Sequence, residues 1–312
     1  MAKMTNRRDF VRSAAAAGML VGVTEMAPAA PATGMFVALS SALTGNKVQW
    51  PESVRLAARV GYGGIDLNLT PAMKEGADAT RSLLTELKMR TSFCSLPVNP
   101  TGTEEIFLKG MSTLDDAAKF VSAVGCGRMM MVLPTSSTTP ADELHKLLKD
   151  RLTAVAEVLA RNNVRLGLEF LGPLMFRTRA PHEFIWRMND AVAFAKEIGP
   201  NIGVVLDAWH WHHSGATVDD IIAAGKSRIV TIHLSDAAKM APEDVKDNQR
   251  LLPGDGIINL VGFFQALEKI GYEDGVSPEV IGRIPADMSA EDGAKLGLDA
   301  SLAVMRKAGI SV

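Results

Sequence analysis

Four short apolar runs in this chain each lead to a side chain able to ligate a hard or borderline metal ion. Arg165–Leu168 precedes Glu169, Gly203–Leu206 precedes Asp207, Arg228–Ile232 precedes His233, and Gly275–Pro278 precedes Glu279. Apolar runs of this length, bounded by polar residues, read as strands buried on both faces, as in parallel sheets. A carboxylate buried at the end of such a strand is costly unless a partner or a metal compensates its charge. Three carboxylates and an imidazole brought together make a mostly oxygen donor set with one nitrogen. That set suits one divalent ion, Mn²⁺ or Mg²⁺ first, with Co²⁺, Fe²⁺ and Zn²⁺ also compatible. The stretch after Asp207 adds three more imidazoles, His210, His212 and His213, and two indoles, Trp209 and Trp211, which read either as sugar-stacking rings or as packing.

The elements that must position these residues alternate. Strands are expected at Met35–Ser41, Gly64–Asn68, Arg90–Pro97 and Arg128–Pro134, and then at the four runs above. Between them, helical spacing and end signals predict helices over 51–60, 79–88, 104–124, 182–198, 218–224, 259–270 and 290–307. A further helix is expected after Thr139 as N-cap and Pro140 as first helical residue. Strand and helix alternating eight times point to α/β class, a single-domain (β/α)8 TIM barrel whose sites gather at the C-terminal strand ends. A doubly wound sheet would need a glycine-rich phosphate turn, and no G-x-G-x-x-G follows an early strand. Asn68, at the end of the second strand, is placed to close the wall opposite the four ligands. The polar segment Lys239–Gly256 is long for a loop in a compact domain, which marks it as functional. Its Arg250 could clamp hydroxyls or a carboxylate.

These residues carry a resemblance. From about Met35 onward the chain is similar to the xylose isomerase-like barrel superfamily of sugar isomerases, epimerases and related lyases. The matching features are Glu169, the pair Asp207 and His210 in D-x-x-H, the pair His233 and Asp236 in H-x-x-D, Glu279, and Gly254-Asp255-Gly256 before the seventh helix. The resemblance implies that Glu169, Asp207, His233 and Glu279 bind one divalent metal and that His210 contacts a substrate oxygen. It further implies that Glu169 and Glu279 exchange protons with carbon while the metal stabilises an enediolate. The chain departs from the ketose epimerases at two places. Six residues beyond Glu169 stands Met175 instead of a glutamate, and six beyond His233 stands Lys239 instead of an arginine. The substrate grip therefore differs, with His212, Lys239 and Arg250 as further candidates for it. The abasic-site endonucleases of the superfamily carry a D-x-H where this chain has Asn248-Gln249-Arg250, which cannot complete a multi-zinc site.

Composition narrows the partners. The chain has 312 residues, 47% hydrophobic and 22% charged, with net charge −2, so no basic surplus argues for nucleic acid or an anionic membrane. The first thirty residues stand apart: Arg7-Arg8 precede a short apolar stretch and the small-residue site Ala27-Pro28-Ala29. This resembles a twin-arginine signal peptide, and its apolar part is too short to span about 30 Å of hydrocarbon. A barrel from residue 31 to 312, exported to the periplasm, is the expected mature form. Cys94 and Cys126 lack C-x-x-C spacing and are expected as buried free thiols, because a twin-arginine substrate folds in a reducing compartment. The reading is a metal-dependent isomerase or epimerase of a free sugar or sugar derivative, working through an enediolate. A lyase or hydratase on an oxidised sugar such as a 3-keto-glycoside is the alternative, and a non-catalytic carbohydrate-binding barrel a third.

Overall fold

The structure, a computed structural model, describes residues 34–312. The proposed signal peptide lies outside the described residues. Among the described residues, no helix is long and apolar enough to cross a membrane.

Eleven strand segments follow in chain order: β1 Phe36–Leu39, β2 Gly64–Ile65, β3 Arg90–Thr91, β4 Cys94–Ser95, β5 Arg128–Val132, β6 Ser136–Ser137, β7 Arg165–Glu169, β8 His182–Glu183, β9 Ile202–Asp207, β10 Ile229–Leu234 and β11 Gly275–Pro278. Nine of them form one parallel sheet in the order β3-β2-β1-β11-β10-β9-β7-β5-β4. Its two end strands are halves of one stave. β3 pairs with β2, β4 pairs with β5, and only Ser92 and Phe93 separate them. The sheet thereby closes into an eight-stave barrel, the (β/α)8 architecture expected.

Alternation along the staves decides what faces inward. Val205 clusters with Phe93 and Met130 inside the barrel, while Val204 and Leu206 join the larger core between sheet and helices. Asp207, two residues beyond Val205, therefore faces inward, and so does Glu169, two beyond Gly167, where an added Cβ would meet Val205 Cγ2 at 2.9 Å. Register places His233 opposite Asp207 on β9 and opposite Ser277 on β11.

Several boundaries differ from the sequence reading. The helix after Pro140 runs Ala141–Arg161 with no side-chain cap, because the N-cap position falls on Pro140, whose side chain carries no acceptor, one residue later than expected. The helix expected from His182 starts at Met188, since His182–Glu183 pairs antiparallel with Ser136–Ser137, joining the segments that follow the neighbouring strands β7 and β5. A short helix, Leu69–Glu75, precedes Ala77–Glu86. The last helix, Ala290–Lys307, has the predicted bounds and is capped by Ser289. Cys94 and Cys126 are free and buried.

Candidate active site

Asp207 is the last residue of β9 and also the N-cap of the short helix Ala208–His213. Its Oδ1 accepts from the amides of Trp209 (2.7 Å) and His210 (3.1 Å), which leaves Oδ2 for the barrel mouth. Glu169 ends β7, His233 sits one residue before the end of β10, and Glu279 follows β11 directly. One ligand atom from each of these four residues lies within 4.8 Å of the others. His233 Nδ1 is their common neighbour. It donates to Glu169 Oε1 at 2.8 Å and lies 3.4 Å from Glu279 Oε2 and 3.8 Å from Asp207 Oδ2.

The charges are tuned in opposite directions. Burial works against the His233 cation, but Glu279 and Glu169 outweigh it and hold the imidazole well above its ordinary value. Burial pushes Glu169 up, with His233 opposing. Burial would do the same to Glu279, yet the His233 charge and hydrogen bond, with Arg250, hold it well below the usual carboxylate range. Glu279 is also the most accessible of the four side chains at 26%, against 6% for Glu169, 5% for His233 and 0% for Asp207.

Arg250 is drawn inside. Its Nη1 donates to Asp207 Oδ2 (2.8 Å) and Glu279 Oε2 (2.9 Å), and its Nη2 to His210 Nε2 (3.2 Å). Asp247 Oδ1 holds the other face of the guanidinium through Nε and Nη2. Because His210 Nε2 accepts, its proton sits on Nδ1, a buried atom without a hydrogen-bond partner. Burial lowers this imidazole to about 3. The segment carrying Arg250 is fixed by Asp236. Oδ1 of that residue accepts from Ala237 N and Ile258 N, and Oδ2 from Gly254 N and Gly256 N, at 2.8–3.1 Å. Gly256 must be glycine here, since an added Cβ would meet Ala237 O at 2.3 Å and Asp236 Oδ1 at 2.5 Å.

An open cavity of about 480 Å³ stands over the cluster and is lined by Glu169, His233 and Glu279. The structure brings Glu169, Asp207, His233, Glu279, His210 and Arg250 together. It does not bring His212 or Lys239 to the cavity. His212 is half-buried with its ring edge-on to His213, and Lys239 is exposed. His210 and Arg250, expected on the substrate face, lie behind the carboxylates and do not line the cavity, because ion pairing draws the arginine inward. The two indoles pack and do not form a stacking platform. Trp209 lies under the Arg250 guanidinium, and Trp211 packs on Phe263 while its Nε1 donates to Thr217 O. Asp66 is the residue the sequence reading missed. It lines the same cavity beside Asn68, and burial pushes its carboxyl up to about 7. Its signal was present in Gly64-Ile65-Asp66-Leu67, an apolar run delivering a carboxylate like the runs that lead to Glu169, Asp207 and Glu279.

Barrel and strand-end cluster together define a class, and comparison with known proteins agrees. The chain belongs to the xylose isomerase-like TIM barrel family, whose model matches residues 54–307. The inosose isomerase of Halalkalibacterium halodurans is 28% identical over 176 residues, 56% of this chain and 60% of that protein. The chain thus spans about 60% of the length of this curated relative. A xylose isomerase domain protein from Alicyclobacillus acidocaldarius subsp. acidocaldarius superposes with TM-score 0.81 and 28% identity, covering 88% of this chain and 99% of that one. The IOLI protein solved with a zinc atom shares the fold, with TM-score 0.73 and 20% identity over 88% of this chain and 98% of that one.

Proposed function

We propose that the protein is a divalent-metal-dependent isomerase or epimerase of a polyhydroxy ketone, an inosose or a related free sugar. The observation that carries the reading is the convergence of Glu169, Asp207, His233 and Glu279 on one point at the floor of a cavity. The inosose isomerase relative supports the reaction class, and the zinc atom in the IOLI structure supports the metal.

The donor set fits such an ion. Three carboxylates meet one imidazole and the Arg250 guanidinium, and with the imidazole neutral the two negative charges left over match a divalent cation. Glu169, Asp207, His233 and Glu279 would hold the ion. Bound there, it supplies Lewis-acid stabilisation of the negative charge that develops on substrate oxygen when a neighbouring C–H is broken. The chain's own groups do the rest. Glu279, the most accessible of the four side chains, accepts the proton from carbon, and Glu169 returns a proton to the adjacent carbon or the opposite face. Arg250 keeps Glu279 and Asp207 aimed into the site, and Phe93 closes one side of the His233 ring at 5.1 Å between centroids.

The test is to incubate protein loaded with Mn²⁺, Mg²⁺, Co²⁺ or Zn²⁺ with an inosose, a panel of ketoses and 3-keto-glycosides in D₂O. Metal-dependent deuterium incorporation with conversion to an isomer or epimer supports the reading. Release of an aglycone without isomerisation would move it to the lyase class. Export through the twin-arginine route, inferred from residues 1–30, is a separate part of the proposal, checked by fractionating cells that express the whole chain.

A further inference from the structure

The cavity has a second polar wall. Asp66 follows β2, and in an eight-stave ring β2 stands across from β9, the strand that ends in Asp207. Asp66 Oδ1 accepts a 2.5 Å hydrogen bond from Ser277 Oγ. Ser277 lies on β11 two residues before Glu279 and in register with His233. The hydroxyl that aims Asp66 is therefore carried by the same strand end as Glu279. Ser277 Oγ also lies 3.3 Å from Ser92 Oγ, which lies 3.2 Å from Thr231 Oγ1. This chain of buried hydroxyls inside the barrel holds Ser277 from below.

Two polar groups on this wall are uncommitted. Asp66 Oδ2 has no hydrogen-bond partner among the described residues, and it is not among the unpaired side-chain atoms sealed from solvent. Asn68 stands at the N-cap of Leu69–Glu75, yet its side chain makes no capping bond, and it too lines the cavity. A carboxylate needed only to brace the barrel would turn both oxygens to donors, since a partly buried unpaired oxygen is costly. Here one oxygen is anchored and the other is open to the space above Glu169, His233 and Glu279.

We propose that Asp66, anchored by Ser277 and flanked by Asn68, binds substrate by accepting a hydroxyl hydrogen from a polyhydroxylated ring held in the cavity over Glu169, His233 and Glu279. This rests on the reading of the site as acting on a polyhydroxy ketone and names the feature of that substrate the protein selects. A ring hydroxyl donating to the ionised form of Asp66 makes a charge-assisted bond, and a site built around such a bond discriminates against the analogue that lacks the hydroxyl.

The test uses the metal-loaded full chain with Asp66→Ala and Asp66→Asn, the second keeping the shape should the first fail to fold. The substrates are an inosose and its monodeoxy analogues, each missing one ring hydroxyl away from the reacting carbons. Asp66→Ala is expected to raise KM roughly 10- to 100-fold, with kcat within a few-fold of wild type and metal content unchanged. Asp66→Asn should raise KM less. Wild type should lose a similar factor in kcat/KM on one deoxy analogue, and Asp66→Ala should be indifferent to that same deletion. An unchanged KM, lost metal, or an equal loss on every analogue would overturn the proposal. Should wild type turn over no inosose, the functional reading fails, and the grip is judged by calorimetry with myo-inositol. Binding weakened by both Asp66 variants supports it there; binding equal to wild type, or no wild-type binding, overturns it.

Discussion

Asp207 serves two structures with its two oxygens. Oδ1 caps the helix that carries His210, and Oδ2 meets Arg250 at the cluster. Asp207→Asn keeps an oxygen for the two amides, so the helix should stay capped while the negative charge is lost. Bound Mn²⁺ measured by elemental analysis is expected to fall together with activity, while far-UV circular dichroism stays as in wild type. Full metal content in that variant would make Asp207 a cap and no ligand. The four ligand candidates were legible in the sequence because burying a charge after an apolar run is costly, and cost implies a partner. The inward turn of Arg250 was not legible. It depends on Asp247, Asp207 and Glu279 meeting in space, and sequence spacing does not encode that meeting.

At the scale of elements, long periodic segments were legible to their bounds, while the short staves at Gly64–Asn68 and Arg90–Pro97 were legible as strands but not in their extent. Helix 290–307 was readable from its helical spacing, whereas β2, β3 and β4 have two residues each, too few for a period to fix their bounds. They are strands because ring closure gives their backbone groups partners, and for that reason the inward parity of Asp66 was hidden. Asp236 makes the clearest case for tertiary control. Four backbone amides converge on its carboxylate and set the course of the segment from Arg250 to Ile258. Asp236→Ala leaves those donors without their acceptor and is expected to destabilise the fold by about 2–4 kcal/mol in urea unfolding. Activity should fall further than stability explains, because Arg250 loses its seat behind Glu279. Wild-type stability in that variant would show the loop to be held by other contacts.

The whole molecule answers to pH through buried imidazoles. Burial lowers His213 to about 4, below the ordinary histidine value near 6.5. Between those values the unfolded chain binds a proton at this position and the folded chain does not, so this residue's contribution to stability declines as pH falls from about 6.5 to 4. The difference in Tm between wild type and His213→Gln should therefore shift against wild type across that window, and a constant difference would place the imidazole in solvent. The central claim, that this barrel moves a proton at carbon through Glu279, is tested most directly by deuterium exchange with Glu279→Gln. The amide oxygen can still coordinate, so the variant should keep much of its metal while exchange into an inosose drops by roughly 10²- to 10⁴-fold. Exchange at the wild-type rate with metal bound would contradict the account and leave Glu279 a ligand alone.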